Sequence, residues 1–313
     1  MLAMNRITIT AFMLACSVRI LSAQAVNVPV YDESNLERAD DAAMKAAVQL
    51  HAAGGLLAFG KVAEQLKERK QCSLKLPAAG KEKLAPRDLW SRARNSHLRV
   101  GWLYHDHKKP AWQINLAGGY FISEDGAVAT CYHVVEPDTD DMKEGYLVAA
   151  TDDDKVYPVT EILAASRETD TCILRVKAAK ITALPISIDV FPGDSVVCFS
   201  EPMGRRGYYS SGIVNRFLQS PESTGKKNES HPITKAVYIE VGTDWAPGSS
   251  GAAVLDAYGN AVGHVSTIEA VMEEPGDSAK KKKKNKPIQP TGTLIIFHDA
   301  ISAKHVKELV KDQ

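Results

Sequence analysis

From about Leu98 onward, short β-favouring runs alternate with turn residues along almost the whole remaining chain. Val100–Tyr104, Gly119–Ile122, Val128–Tyr132, Cys172–Val176, Ser195–Ser200 and Ala261–Val265 are examples. Pro192-Gly193-Asp194 and Tyr258-Gly259-Asn260 read as turns between strands. Strands this short, at roughly 8–15-residue spacing, leave no room for the helical crossovers a parallel sheet needs. They point to antiparallel barrels or a sandwich, so the expected fold class is mainly β.

The N-terminal third has a different texture. Residues 34–70 read as helix: Ser34 with Glu37 forms a capping box, and Leu36, Ala39, Ala43, Ala47 and Leu50 recur at helical spacing. Gly54-Gly55 interrupts, and Leu57–Lys70 can form a second, more charged helix. Ala79–Pro86 is linker-like, Pro86–Ala93 can form one short helix, and a last helix is expected over Ile301–Lys311. Ahead of these, the first 25 residues resemble an export signal, with Arg6, the apolar run Ile7–Ala15 and the small residues of Ala23-Gln24-Ala25. Arg19 interrupts that run, and lipidation at Cys16, after Met13-Leu14-Ala15, is a looser alternative. The resulting division is a signal peptide (1–25), a helical N-terminal extension (26–85) and a β-rich domain (86–313).

Composition narrows the function. Lys+Arg and Asp+Glu are 38 each, so no net charge draws the chain to nucleic acid. Aromatics, at 7%, are too few for a base-stacking platform. No apolar run reaches the roughly 18–20 residues that span a bilayer. Self-association into a homo-oligomer is compatible with the sequence. Cys72, Cys131, Cys172 and Cys198 remain after the signal, with no CxxC pair, so at most one disulfide and no zinc site are expected. His105-Asp106-His107 reads as a polar turn rather than a metal site, and no cofactor is expected. Lys280–Lys284 sit in a polar stretch, Glu269–Thr291, that reads as a solvated loop.

Three segments carry chemistry. Gly118–Val135 is a hairpin that delivers His133 at a strand end. Thr169–Val176 leads Asp170 into a buried strand, and Ala246-Pro247-Gly248-Ser249-Ser250-Gly251-Ala252 sets a glycine-flanked serine before another hairpin. Each alone is weak: a histidine at a strand end is more often structural, and Gly-Ser-Ser-Gly is a common turn. Together they hold the parts of nucleophilic acyl transfer. A serine hydroxyl is a poor nucleophile until an imidazole accepts its proton, and a buried carboxylate fixes that imidazole's tautomer. Glycine beside the serine lets backbone N–H groups face a developing oxyanion.

These segments resemble the chymotrypsin-like (trypsin fold) serine peptidases, in particular the HtrA/Deg-type bacterial branch, over roughly Pro86–Lys311. Gly119–Ile122 with Thr130–Val135, Asp170–Leu174 and Gly248–Ala252 carry the likeness, and Pro202-Met203-Gly204 and Ser211-Gly212-Ile213-Val214 agree with it. The resemblance implies two antiparallel six-stranded β-barrels with an N-terminal helical extension and a C-terminal helix. It implies peptide-bond hydrolysis with His133 as general base, Asp170 as its orienter and Ser250 as nucleophile. The N–H groups of Gly248 and Ser250 would form the oxyanion hole, and polypeptides would be the substrates. Asp244, at the pocket-base position six residues before Ser250, would favour Lys or Arg at the cleaved position, or it simply caps a turn. Ser266, Thr267 and Ile268 would line the edge that pairs with substrate backbone.

The departures matter as well. Ser249 replaces the Asp with which digestive members bind a new N-terminus, so no such zymogen switch is expected. Ala252 replaces a glycine. Only some 48 residues follow Val265, too few for the PDZ domain of many HtrA-type enzymes. The competing readings are a catalytically silent double barrel serving as a binding or scaffold module, and an α/β-hydrolase. The reversed order of triad residues and the strands after Ser250 disfavour the second.

Overall fold

The β-favouring runs become strands because most of them are apolar on both faces. In the computed structural model, residues 29–31, 33–34, 40–109, 111–138, 140–178, 181–219, 235–273 and 292–312 are described. The expected signal peptide, Cys16, Glu37 and Lys280–Lys284 lie outside those residues.

From Asp32 onward the chain forms one compact unit. It begins with α1 (Asp41–Ala53), β1 (Leu57–Ala58), α2 (Phe59–Glu68), β2 (Cys72–Leu74) and α3 (Pro86–Ser96). The first helix starts at Asp41 rather than at Ser34. Asp40 occupies its N-cap but makes no side-chain cap, because its carboxylate is taken by Arg99. Two-residue β1 replaces the expected start of the second helix by pairing with the edge of the following barrel.

Strands β3 (His97–Asp106), β4 (Trp112–Phe121), β5 (Ala127–Thr130), β6 (Met142–Ala150), β7 (Val156–Ser166) and β8 (Thr171–Val176) follow, with the short α4 (Tyr132–Val135) after β5. They pair in the order β6-β3-β4-β5-β8-β7, and a β6–β7 pairing closes the ring. Strand β3 runs on through His105-Asp106, and the His105 ring lies 3.7 Å from that of Trp112, so this tripeptide belongs largely to a strand and not to a turn.

A second closed barrel comprises β9 (Ser195–Ser200), β10 (Tyr208–Gln219), β11 (Val237–Val241), β12 (Ala253–Asp256), β13 (Ala261–Met272) and β14 (Thr293–Ser302). The fold is therefore mainly β, two closed six-stranded antiparallel barrels with helices before and after. The last helix, α5, is shorter than its sequence suggests. It spans Lys304–Leu309, because Ile301 and Ser302 end β14 and Lys311 lies in β15 (Val310–Asp312), which pairs parallel to β2. The polar stretch expected from Glu269 also starts later: Glu269–Met272 pair with β14 as an extended hairpin.

Strand alternation explains how the barrels join. Val128 and Leu174 point into the first barrel, while their neighbours Ala129 and Ile173 join the layer between barrels. In β9, Val196 and Cys198 fill the second barrel, while Val197 and Phe199 meet Tyr120 and Ile122 across that layer. Each fully buried Leu, Ile, Val or Phe stabilises by about 1.5–3 kcal/mol, so both strand faces contribute. Helix α2 packs Val62 and Leu66 into the first barrel's core, and Gln65 Oε1 accepts the Ile162 N–H at 2.7 Å. The four described cysteines are free thiols, three of them buried.

Candidate active site

Strands β5 and β8 are antiparallel neighbours paired Thr130 to Cys172. The end of β5 and the start of β8 therefore lie at the same end of the first barrel, where α4, directly after Cys131, carries His133 and where Asp170 immediately precedes β8. The His133 Nδ1 lies 3.0 and 2.9 Å from the two carboxylate oxygens of Asp170. The His133 backbone N–H donates to Oδ1 at 3.0 Å, and Ser266 Oγ donates to Oδ2 at 2.9 Å. Asp170 itself is 3% exposed, with φ of 46°. This left-handed backbone is one that Asp and Asn tolerate better than other side chains.

A carboxylate can only accept, so Nδ1 carries the proton in this pair and Nε2 is left with a lone pair. Burial pushes the His133 pKa down, but the hydrogen bond and charge of Asp170, with Glu136 adding, outweigh it and hold the imidazole above its ordinary value. Burial raises the Asp170 carboxyl, yet the bonds and charge from His133 win and lower it. Below them His264 is fully buried, its Nε2 3.4 Å from the Asp170 carbonyl; burial drives its pKa to about 4, so it is neutral at pH 7.

The Ser250 turn arrives from the second barrel. Gly118 N–H donates to the Ser250 carbonyl at 2.7 Å, tying β4 of one barrel to the turn of the other. Within the turn, Ser249 N–H donates to Ala246, Ala252 N–H to Ser249, and Gly251 N–H to Val265. The N–H groups of Gly248 and Ser250 are not among the backbone donors to carbonyls in the described residues. Glycine is required twice. Gly248 has φ 100°, and a Cβ there would lie 2.8 Å from the Glu201 carbonyl. Gly251 has φ 84°, and its Cβ would lie 2.3 Å from both the Gly118 carbonyl and Thr130 Oγ1.

His133, Ser250 and Gly248 line one cavity of about 340 Å³ with Trp102, Asn115 and Met142. The structure brings His133, Asp170, Ser250, Gly248 and Ser266 together. Of the other expected site residues, Asp244 has an exposed side chain, and its carbonyl accepts from Ser210 Oγ at 2.9 Å. Thr267 is half-buried and accepts from the Trp245 indole at 3.1 Å, while Ile268 is exposed. Sequence reasoning read Ser266 as a substrate edge and missed its bond to Asp170. The signal was a pair of polar residues, His264 and Ser266, two apart in an otherwise apolar run and so on one strand face.

One further group has metal-ligand chemistry. Cys131 Sγ, a His133 ring nitrogen and an Asp170 oxygen lie within 4.8 Å of one another. His133 and Asp170 are already committed to each other, and burial holds the Cys131 thiol well above its ordinary pKa. Its Sγ donates to the Val265 carbonyl at 3.1 Å. A metal would have to displace all three arrangements, so the donor set does not fit a resident ion.

Residues 117–263 match the trypsin-like peptidase domain family, a stretch containing His133, Asp170 and Ser250. The chain is 24% identical over 163 residues to a protein of Chlamydia trachomatis described as a probable periplasmic serine endoprotease, DegP-like. That match covers 51% of this chain and 30% of the relative. A DegP-like relative from Halomonas elongata, described in the same words, is 29% identical over 159 residues, covering 49% of this chain and 30% of its own. The matched stretch thus spans under a third of the curated relatives' length. Among solved structures, the HtrA-type protease AlgW with decapeptide superposes with a TM-score of 0.50 at 16% identity, covering 72% of this chain and 69% of that one. This likeness concerns the fold.

Proposed function

We propose that this chain, which carries a trypsin-like peptidase domain related to the DegP/HtrA serine proteases, is an exported serine endopeptidase that cuts polypeptides through a covalent acyl-enzyme. One observation carries the reading: the imidazole whose Nδ1 is held by a buried carboxylate shares a cavity wall with Ser250 and Gly248.

The chemistry follows from the donors and acceptors. Nε2 of His133 takes the Ser250 proton as Oγ attacks the scissile carbonyl. The imidazolium that forms is stabilised by Asp170, which also fixes the ring's orientation. Ser266 and the His133 N–H hold that carboxylate still. Negative charge on the former carbonyl oxygen falls to the N–H groups of Gly248 and Ser250, which donate to no backbone carbonyl among the described residues. The imidazolium then protonates the leaving amine, and water repeats the sequence to free Ser250. Export is supported by the N-terminal residues and by the periplasmic description of the relatives.

The test is hydrolysis of an unfolded polypeptide. The wild-type chain should release new N-termini, and Ser250→Ala should release none above background. A folded wild-type protein that leaves every unfolded substrate intact would instead favour the silent binding module.

A further inference from the structure

Arg99, on β3, is 2% exposed and is among the largest fully buried side chains. Its guanidinium gathers partners from three separate parts of the chain. Nη1 donates to Asp40, at the head of α1. Nη2 donates to Asp154 at 2.6 Å and to the Thr151 carbonyl at 3.4 Å, both in the turn between β6 and β7. Nε lies 3.6 Å from Oε1 of Glu201, just after β9. Arg206 reinforces the cluster, donating to Asp154 Oδ2 at 2.9 Å and to the Asp152 carbonyl.

The partners are not equivalent. Arg99 is already neutralised by Asp40 and Asp154, so it does not need Glu201. Glu201 is 8% exposed, and a buried carboxylate needs a counter-charge. Burial lifts its pKa to about 7, with Arg99 and Arg206 opposing the rise and Asp40 and Asp152 adding to it. Among the described residues, its Oε1 makes no hydrogen bond, so the 3.6 Å charge contact with Arg99 Nε is its closest opposing charge.

Glu201 opens the 3-10 turn Pro202–Gly204, and the serine turn rests on it. Met203 N–H donates to the Pro247 carbonyl at 2.8 Å. The Glu201 carbonyl lies 2.8 Å from where a Cβ on Gly248 would be. Met203 has φ of 52°, a conformation an unbranched side chain adopts only when its surroundings impose it.

We propose that Glu201 is a positioning residue: set against the Arg99 guanidinium by a buried charge contact, it fixes the Pro202–Gly204 turn beneath Gly248 and so aims the backbone N–H groups of the serine turn. Through Asp40, the same arginine ties the start of α1 to this support. The consequence for rate rests on the serine-peptidase reading; the effect on the turn does not.

Glu201→Gln tests it, since Arg99 keeps two carboxylate partners and the fold should survive. In the full chain, amide hydrogen exchange of the peptide covering 246–252 should accelerate about tenfold, with the strands of the first barrel unchanged. In the active enzyme, kcat should fall about tenfold and the Ki of a peptidyl boronic acid should rise by the same factor, with KM within about twofold. Unchanged exchange, or a rise in KM alone, overturns the proposal. A wild-type chain with no hydrolysis would sink the peptidase reading, and the exchange experiment would still decide the positioning role. If Glu201→Gln does not fold, Glu201→Asp keeps the charge but retracts it by one methylene. Intermediate exchange and kcat then support the proposal, and wild-type values overturn it.

Discussion

Replacing Asp170 by Asn isolates the electrostatics of the site with little change in shape. Asn keeps one oxygen acceptor and tolerates the left-handed backbone at this position, so the φ of 46° adds no new strain. What changes is the proton inventory. The His133 N–H and Ser266 Oγ both donate to the carboxylate, on Oδ1 and Oδ2 respectively, so they compete for the single amide oxygen. The amide NH2 then faces Nδ1 as a donor, which favours the ring tautomer with its proton on Nε2. A protonated Nε2 cannot accept from Ser250. The triad logic puts the loss in kcat at about 10⁴-fold, or about 5 kcal/mol of transition-state stabilisation. The assay is steady-state hydrolysis of a chromogenic peptide, with thermal melting to show that the variant folds. A folded Asp170→Asn protein within about tenfold of wild type would refute this account of the tautomer.

Other expectations follow from the same geometry. The His133 pKa is held above the ordinary 6.5, and the base works deprotonated, so kcat/KM should rise with pH and level off only above an inflection higher than 6.5. For stability the signs differ. The His133 contribution is complete below its ordinary pKa and is lost as pH rises through the raised one, while that of Asp170 is present above the ordinary carboxyl value and is lost as pH falls through its lowered one; urea titrations across pH would show both. Gly251→Ala forces a Cβ to 2.3 Å from Gly118 O and Thr130 Oγ1 on a left-handed backbone, which should cost about 2–5 kcal/mol in urea unfolding and suppress activity. Leu66→Ala, in α2, should cost about 2–5 kcal/mol of stability while leaving the kcat of the folded fraction unchanged.

The sequence made the barrels and the approach of His133, Asp170 and Ser250 legible for different reasons. Strand runs such as Cys172–Val176 are local, and alternation with turn residues reveals them directly; the run expected over Val128–Tyr132 ends at Thr130, because Tyr132 opens α4. The three site segments are recognisable because nucleophile, base and orienter need particular residue types beside particular backbone turns. The remaining features depend on partners far apart in the chain. Asp40 falls inside the helix expected from Ser34, yet it stands at the actual helix start and its carboxylate goes to Arg99, 59 residues away. Glu201 looks like an ordinary turn residue until Arg99 and Gly248 are seen beside it. Glu269–Met272 reads as the start of a loop because Glu269 and the Glu273-Glu274-Pro275 that follows are loop-like, yet the apolar Ala270, Val271 and Met272 between them extend β13. The shortened last helix has a similar cause: pairing of Val310–Asp312 with β2 outweighs helix propensity at its end.

The central claim is that His133 activates the hydroxyl of Ser250. A fluorophosphonate reacts with a serine only when its hydroxyl is so activated, and peptide mass mapping locates the adduct. The account predicts a single phosphonylated peptide, modified at Ser250, that disappears in His133→Ala. An unmodified folded protein, an adduct on another serine, or undiminished labelling in His133→Ala would contradict it.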